Sequence, residues 1–593
     1  MIPLFPYLGA ALVTPAQAGD AAFRRVRPSD PDWPNAASWE ELNRNVGGQL
    51  IKVRSPLTVC AEEPQGAACT ALFKKLRNPY YIGDEVGLTQ TLGWVDAWTS
   101  RPSAYAVAVR NTADVVAAVN FAREHKLRLV VKGGGHSYLG TSNAADSLLI
   151  WTRKMNAITL HDTFIGQGCA GREAAQPAVT VEAGAIWMQA YEAVTTKGGR
   201  YVQGGGCTTV GVAGLIQSGG FGSFSKQYGL ASASLIEAEI VTADGAVKIA
   251  NACTNPDLFW GLKGGGGGSL GVVTKLTLRT HALPAFFGAV NVVIKAKSDE
   301  AYRRLIGEAM RFYGESLFNP HWGEQFVFRT DNTLAIRMVF QGLDQKQAEE
   351  TWKPFRGWVA SALQDFTIVA PPNVISVPAS YFWNPTVLKT VPGVVVADDR
   401  EGAPESNIFW AGDAGQAGWV LQGFQSAWLP ASLLQKDQQD RLADALFAAT
   451  RHWQLELHFN KGLAGAPAEA IAAARDTAMN PAVLGACALV IAGAGGPSAY
   501  PGIADHEPDA ATARTHAAAV DAAMTALRKV IPDVGSYVSE SNFFDAGWQQ
   551  SYWGANYPRL LGVKQKYDPE GLFFVHHGVG SERWSPDGFT RLK

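Results

Sequence analysis

Apolar and polar positions change period several times along the chain. From Tyr105, "YAVAVRNTADVVAAVNFAREHKLRLVVKGGG" reads as a short apolar strand, an amphipathic helix started at Asn111 and Asp114, a buried strand (Leu129, Val130, Val131) and a bare glycine loop. "AVTVEAGAIWMQAYEAVTTKG" repeats the scheme, with a strand followed by a helix that glycine ends. "LIEAEIVTADGAVKIAN" predicts a hairpin turned at Asp244-Gly245. "DLFWGLKGGGGGSLGVVTKLTLRTHALP" predicts a helix, a five-glycine loop and a strand. Together these predict an α+β domain over residues 101–284. After Pro284 the segments lengthen, as in "DEAYRRLIGEAMRFYGESL", "TLAIRMVFQGL" and "HAAAVDAAMTALRKVI", which predicts a second domain over 285–535 with no low-complexity linker before it. Residues 19–100 form an N-terminal extension punctuated by tryptophan and proline, with helical stretches such as "SWEELNRNVGG".

Composition narrows the classes. At 593 residues the chain exceeds one ordinary domain, and with 47% apolar and 18% charged residues it has the means to bury sizeable cores. The 51 basic residues against 53 acidic ones form no basic stripe, which argues against a nucleic-acid partner. No internal apolar run approaches the roughly 20 residues of a bilayer span, so a soluble protein is expected. Residues 1–18, ending in Ala16-Gln17-Ala18, read as the apolar part and cleavage site of an export signal, or as an apolar arm. Six cysteines suit an oxidising compartment. Cys60 and Cys69 bracket a short polar loop that a bridge would close, and Cys487 reads as a packed apolar thiol.

Two reactive side chains stand on bare loops. His136 follows Gly133, Gly134 and Gly135, and Cys207 follows Gly204, Gly205 and Gly206. A loop without side chains lets successive N–H groups converge on an anion such as a pyrophosphate. Taken alone, the first loop fits a tight turn with a polar surface histidine equally well. A Rossmann reading fails, because no G-x-G-x-x-G opens a helix directly after the first strand with an acidic residue about 20 positions on. His321 with Glu324, and His576 with His577, invite a metal reading but lack an i,i+4 histidine pair and a third ligand. No metal is expected.

The strings "VVKGGGHSYLGTSN", "GGGCTTVGVAGLIQSGGFGSFSKQYGLA" and "WGANYPRLLGVKQKYDPEGLFF" resemble the berberine-bridge-enzyme-like branch of the vanillyl-alcohol-oxidase flavoprotein family, in the family's order and spacing. The resemblance implies a two-part FAD-binding domain of the PCMH type and a substrate domain with a large antiparallel sheet covered by helices. It also implies a C-terminal segment, 536–593, that returns to the FAD domain. In that branch FAD is attached twice, through a histidine to the 8α-methyl and a cysteine to ring position 6, and the matching residues are His136 and Cys207. Gly133, Gly134, Gly135, Ser137, Gly140 and Ser142 match the pyrophosphate-facing loop. Gly205, Gly211, Gly214, Gly220, Gly222 and Gly229 match the second loop, Gly271 and Val273 the adenosine end, and Asn556 and Tyr557 the returning segment. Ala233-Ser234 departs from the acidic-amide pair usual after "YGLA". With Cys207 given to flavin, Cys169 is expected to bond Cys253 and Cys487 to stay free in a monomer.

The implied activity is hydride transfer from an alcohol or saccharide carbon to flavin, with a side chain taking the hydroxyl proton and dioxygen reoxidising the cofactor to give hydrogen peroxide. Relatives carry the base as a tyrosine in a pattern like Y-x-N-Y-x-D. Here Tyr537-Val538-Ser539-Glu540 places Glu540 at that position. In an apolar pocket its pKa would rise toward neutrality, and the other reading is a salt-bridged surface glutamate. Tyr537, Tyr138 and Tyr552 are further candidates. Val210, three positions after the tether cysteine, matches the family's oxygen gate, where a small residue admits oxygen. Substrates are expected to be small alcohols, saccharides or phenolics. The alternatives are a dehydrogenase with another acceptor, and a flavin-carrying binding protein with a degenerate pocket.

Overall fold

The computed structural model describes residues 23–592 other than Asp533, so the expected export signal lies outside the described residues. Three sheets organise the chain. In the first, Leu50–Lys52, Tyr105–Ala108, Ser147–Trp151 and Arg128–Lys132 lie in that order, the last three mutually parallel. Ser147–Trp151 is buried along its whole length, as a central parallel strand must be. Helix Thr112–Glu124 covers this sheet. Asn111 caps it, accepting from the Asp114 N–H at 3.0 Å, and Val115, Ala118, Val119 and Ala122 form its buried stripe.

The second sheet is antiparallel, in the order Val247–Asn251, Leu235–Val241, Val272–Ala282, Gln176–Glu182, Ile158–Phe164, with Arg200–Val202 also paired to Val272–Ala282. The expected hairpin is present, turned at Gly245 with φ +76°. The bridge Cys169–Cys253 ties the loop after Phe164 to the loop after Asn251.

At Leu283-Pro284 the chain crosses into a nine-stranded third sheet. Its first strand, Phe286–Ala296, lies next to the edge strand Phe366–Pro378. Helices Asp299–Phe312, Gln345–Ser361, Gln439–Thr450 and Ala510–Arg528 pack on one face around a core that includes Leu305, Ile306, Trp322, Phe326, Trp352 and Leu446. The sheet also takes in Thr91–Trp94, parallel to Trp419–Pro430, and Trp98–Thr99 beyond it. The stretch read as an N-terminal extension is therefore shared, Leu50–Lys52 going to the first sheet and residues 91–99 to the third. Cys60–Cys69 closes the small helical unit between them.

The C-terminal segment returns to the first two sheets. Lys564, buried, donates to the carbonyls of Ser269 (2.6 Å) and Phe573 (2.7 Å) and pairs with Asp568. Leu129 bridges Phe573. Among the described residues no helix is long and apolar enough to cross a membrane.

Candidate functional site

The loops carrying His136 and Cys207 touch. A Cβ on Gly134 would lie 2.6 Å from the Gly211 nitrogen, so only glycine permits the approach. The His136 Nε2 sits 3.1 Å from the Thr209 hydroxyl, which leaves Nδ1 without a hydrogen bond in the described chain. Burial lowers the His136 pKa to about 4, with Arg153 adding to the fall, so the ring is neutral at ordinary pH. Lys226, buried, donates to the carbonyls of Gly462, Ala464 and Cys487 and pins the second loop region to the third sheet.

These loops fit FAD on their own chemistry. The N–H groups of Gly134, Gly135, His136, Ser137 and Tyr138 donate no hydrogen bond to any described residue, an open nest of the kind that receives a phosphate. Ser137 instead accepts from the Thr141 N–H at 3.1 Å and shapes the turn. Gly222 crosses Gly204 so closely that a Cβ would meet the Gly204 carbonyl at 1.7 Å.

A segment between the third-sheet strands Phe366–Pro378 and Trp419–Pro430 closes over Cys207. The hairpin Val395–Ala397/Ile408–Trp410 leads into the turn Ala411–Gln416. Trp410 Nε1 donates to the Gly206 carbonyl at 3.0 Å, and the Thr208 hydroxyl donates to the Ile408 carbonyl at 3.0 Å. These bonds clasp the loop on both sides of the cysteine, and Asp413, three residues beyond Trp410, interacts with its thiol. Burial, then Asp413, push the Cys207 pKa well above the usual thiol range. Burial raises Asp413 to about 6, its hydrogen bond with the thiol offsetting part of the rise and Glu324 adding to it. Tyr138 donates to Gln416 Oε1 at 3.3 Å, and its ring lies between Trp419 and Phe424.

Glu540 does not occupy the expected apolar pocket. Its two oxygens lie 2.5 and 2.7 Å from Lys461 Nζ, and the pair is 21% and 12% exposed. The reason is the strand partner of its neighbourhood: Lys461 follows Leu455–His458 and faces the turn at Tyr537–Glu540. Tyr537 is buried edge-on to Phe221, and burial raises its pKa. The Tyr552 hydroxyl is engaged with Ser541 and lies with His577.

The remaining sequence-derived positions distribute around this centre. Val210 is half-buried, its carbonyl accepting from the Trp187 N–H at 3.1 Å. Val273 is buried in strand Val272–Ala282 opposite Ile240. Asn556 donates to the Met479 carbonyl at 2.7 Å, and the Met479 side chain abuts Gly219 and Gly264. Asn556 therefore supports the glycine loops through a neighbour. Tyr557 bonds Glu582 instead, away from both loops. Sequence reasoning missed Asp413, Gln416 and Lys461. The isolated acid in "FWAGDAGQAGWV", bare on both sides like the loops of His136 and Cys207, is the signal that was available.

Comparison with known proteins agrees with this geometry. A family model described as FAD binding domain matches residues 103–251, and one described as berberine and berberine like matches 536–580. The VAO-type flavoprotein oxidase VAO615 of Thermothelomyces thermophilus is 29% identical, over 96% of this chain and 95% of its own. The FAD-linked oxidoreductase easE of Trichophyton verrucosum is 30% identical, over 96% and 93%. Among solved structures, MtVAO615 from Myceliophthora thermophila C1 superposes with a TM-score of 0.77 at 27% identity, covering 96% of this chain and all of that one. The glucooligosaccharide oxidase of Acremonium strictum, described with a 6-S-cysteinyl, 8α-N1-histidyl FAD, shares the fold. Its TM-score is 0.64 at 18% identity, over 89% of this chain and 99% of its own. With the α+β architecture, the phosphate nest and these matches together, the chain belongs to the berberine-bridge-enzyme-like branch of the vanillyl-alcohol-oxidase family and is an FAD-dependent oxidoreductase.

Proposed function

We propose that the protein is an exported, monomeric oxidase of small alcohols, saccharides or phenolic alcohols, carrying FAD on both His136 and Cys207 and passing electrons to dioxygen. The observation that carries the reading is the contact between the two glycine loops, which sets a neutral imidazole and a thiol on adjoining stretches of bare backbone. The group they would hold supplies hydride acceptance and the reaction with oxygen when bound. The chain supplies the rest. Gly134–Tyr138 would receive the pyrophosphate, and the clasp at Trp410 and Thr208 fixes the loop around Cys207.

For the substrate hydroxyl, Asp413 is the better proton acceptor than Glu540. It stands beside the tether and titrates near neutrality, where general-base catalysis is most effective. Glu540 spends both oxygens on Lys461. Tyr138, between Trp419 and Phe424, offers an aromatic face to a sugar or aryl ring.

Anaerobic titration of the purified yellow protein with alcohols, saccharides and phenolic alcohols tests the reading. Bleaching by one class, followed by peroxide release on admitting air, is expected. Bleaching by dithionite alone would favour a binding protein. Fast turnover on a quinone or dye with slow reaction in air would make it a dehydrogenase.

A further inference from the structure

We propose that Asp413 takes the proton of the Cys207 thiol when that cysteine bonds to the flavin, an inference that rests on the two-tether reading above. The two tethers meet different proton chemistry. His136 needs no base, since its ring is neutral, Nε2 is engaged with the Thr209 hydroxyl and Nδ1 is available. Cys207 is half-buried and its thiol is held in the protonated form, so no thiolate waits there to attack.

The residues around the thiol leave one acceptor. Lys461 is the cation near it, and Glu540 takes that ammonium with both carboxylate oxygens. Glu324, on strand Trp322–Phe328, accepts from Ser223 and Asn460. Asp413 makes no ion pair among the described residues, lies three residues beyond Trp410 on the segment clasped to the backbone on either side of Cys207, and interacts with its thiol.

The step balances as follows. The S–H bond breaks and its proton passes to the Asp413 carboxylate, while the sulfur lone pair forms a bond to C6 of the isoalloxazine. The C6 proton leaves to solvent, and the two electrons of the broken C–H bond remain on the ring until dioxygen takes them. A carboxylate next to sulfur opposes a free thiolate, so proton loss and bond formation occur together. Once the thioether exists Asp413 has lost its S–H donor and is released to a substrate hydroxyl.

The test uses the full-length protein purified as it is produced, with Cys207 occupancy read by peptide mapping and by alkylation of the free thiol. Unmodified protein is expected to carry both bonds and C207A the histidyl bond alone. D413N should arrive with its histidyl bond intact and the cysteinyl bond reduced at least about tenfold, and D413E should restore it. On incubation in air, D413N should complete the bond faster as pH rises, because the thiol must then ionise unaided. The groups near the sulfur that bear on this profile are Asp413, Lys461, Glu540, Tyr138 and Tyr191, with Glu324 acting on Asp413. A merely misplaced thiol would respond neither to the glutamate nor to alkali. D413N isolated with both bonds in full overturns the proposal. Unmodified protein without a Cys207 bond removes the two-tether reading itself, a result seen before any variant is made. If D413N does not retain flavin, D413E decides: a protein that carries the histidyl bond and still lacks the Cys207 bond counts against Asp413, and a restored Cys207 bond supports it.

Discussion

His136 and Cys207 occupy loops in contact, so losing either should leave the other attached. His136→Ala and Cys207→Ala are each expected to keep FAD through acid precipitation, and only the double variant should release it to the supernatant. At Val210 the expected effect is kinetic. Val210→Ile adds one methylene, worth about 1 kcal/mol in packing, and should leave reduction by substrate nearly unchanged while slowing reoxidation about tenfold or more in stopped flow. The pair Lys461–Glu540 makes a stability prediction. Lys461→Met leaves a largely buried carboxylate without its counter-ion, at a cost of about 2 kcal/mol in urea unfolding, and adding Glu540→Gln should recover most of it. Both glycine-flanked loops were legible because their signal is local. Asp413 showed only as an isolated acid among glycines, since nothing in "AGDAGQAG" reveals that Trp410 docks on Gly206, 204 residues away in sequence.

Elements were legible where pattern and turn chemistry agree. Asp244-Gly245 announces its hairpin, and Asn111 its helix. The strands at Thr91–Trp94 and Trp98–Thr99 carry no alternation, and they become strands through pairing with Trp419–Pro430. The tertiary partner, absent from any local window, decides such short segments. The two disulfides differ in the loop each closes, with sequence separations of 9 and 84. Chain-entropy reasoning then ranks them. Replacing Cys60 and Cys69 with serine should cost about 2–3 kcal/mol, and replacing Cys169 and Cys253 about 4–5 kcal/mol, both read from urea midpoints. Equal losses would show that the closed loops do not set the energetics.

For the whole molecule, acid is the expected weakness. Burial lowers His281 to about 4 and His577 to about 3, against 6.5 in an unfolded chain. Below pH 6.5 the unfolded chain binds protons that the folded one refuses, so stability falls as pH drops toward 4. His281→Gln should flatten that fall by up to one proton, measured from the pH dependence of the urea midpoint, and a slope unchanged between pH 6.5 and 4.5 would contradict the assignment. The entry into the third sheet at Phe286 follows a change of texture in the sequence after Pro284. The sharing of residues 23–100 between two sheets was not, because it depends on which sheet each short strand meets.

The return of Lys564 to Ser269, and of Phe573 to Leu129, sets an order of events during synthesis. At about 5–20 residues per second, the ribosome finishes residues 133–140 and 204–222 many seconds before it delivers the lysine that locks Ser269. A nascent chain can therefore display both glycine loops without the buttress that fixes them. Firm capture of the nucleotide waits for the last few dozen residues, and a stalled or clipped product lacking them would leave the ribosome colourless.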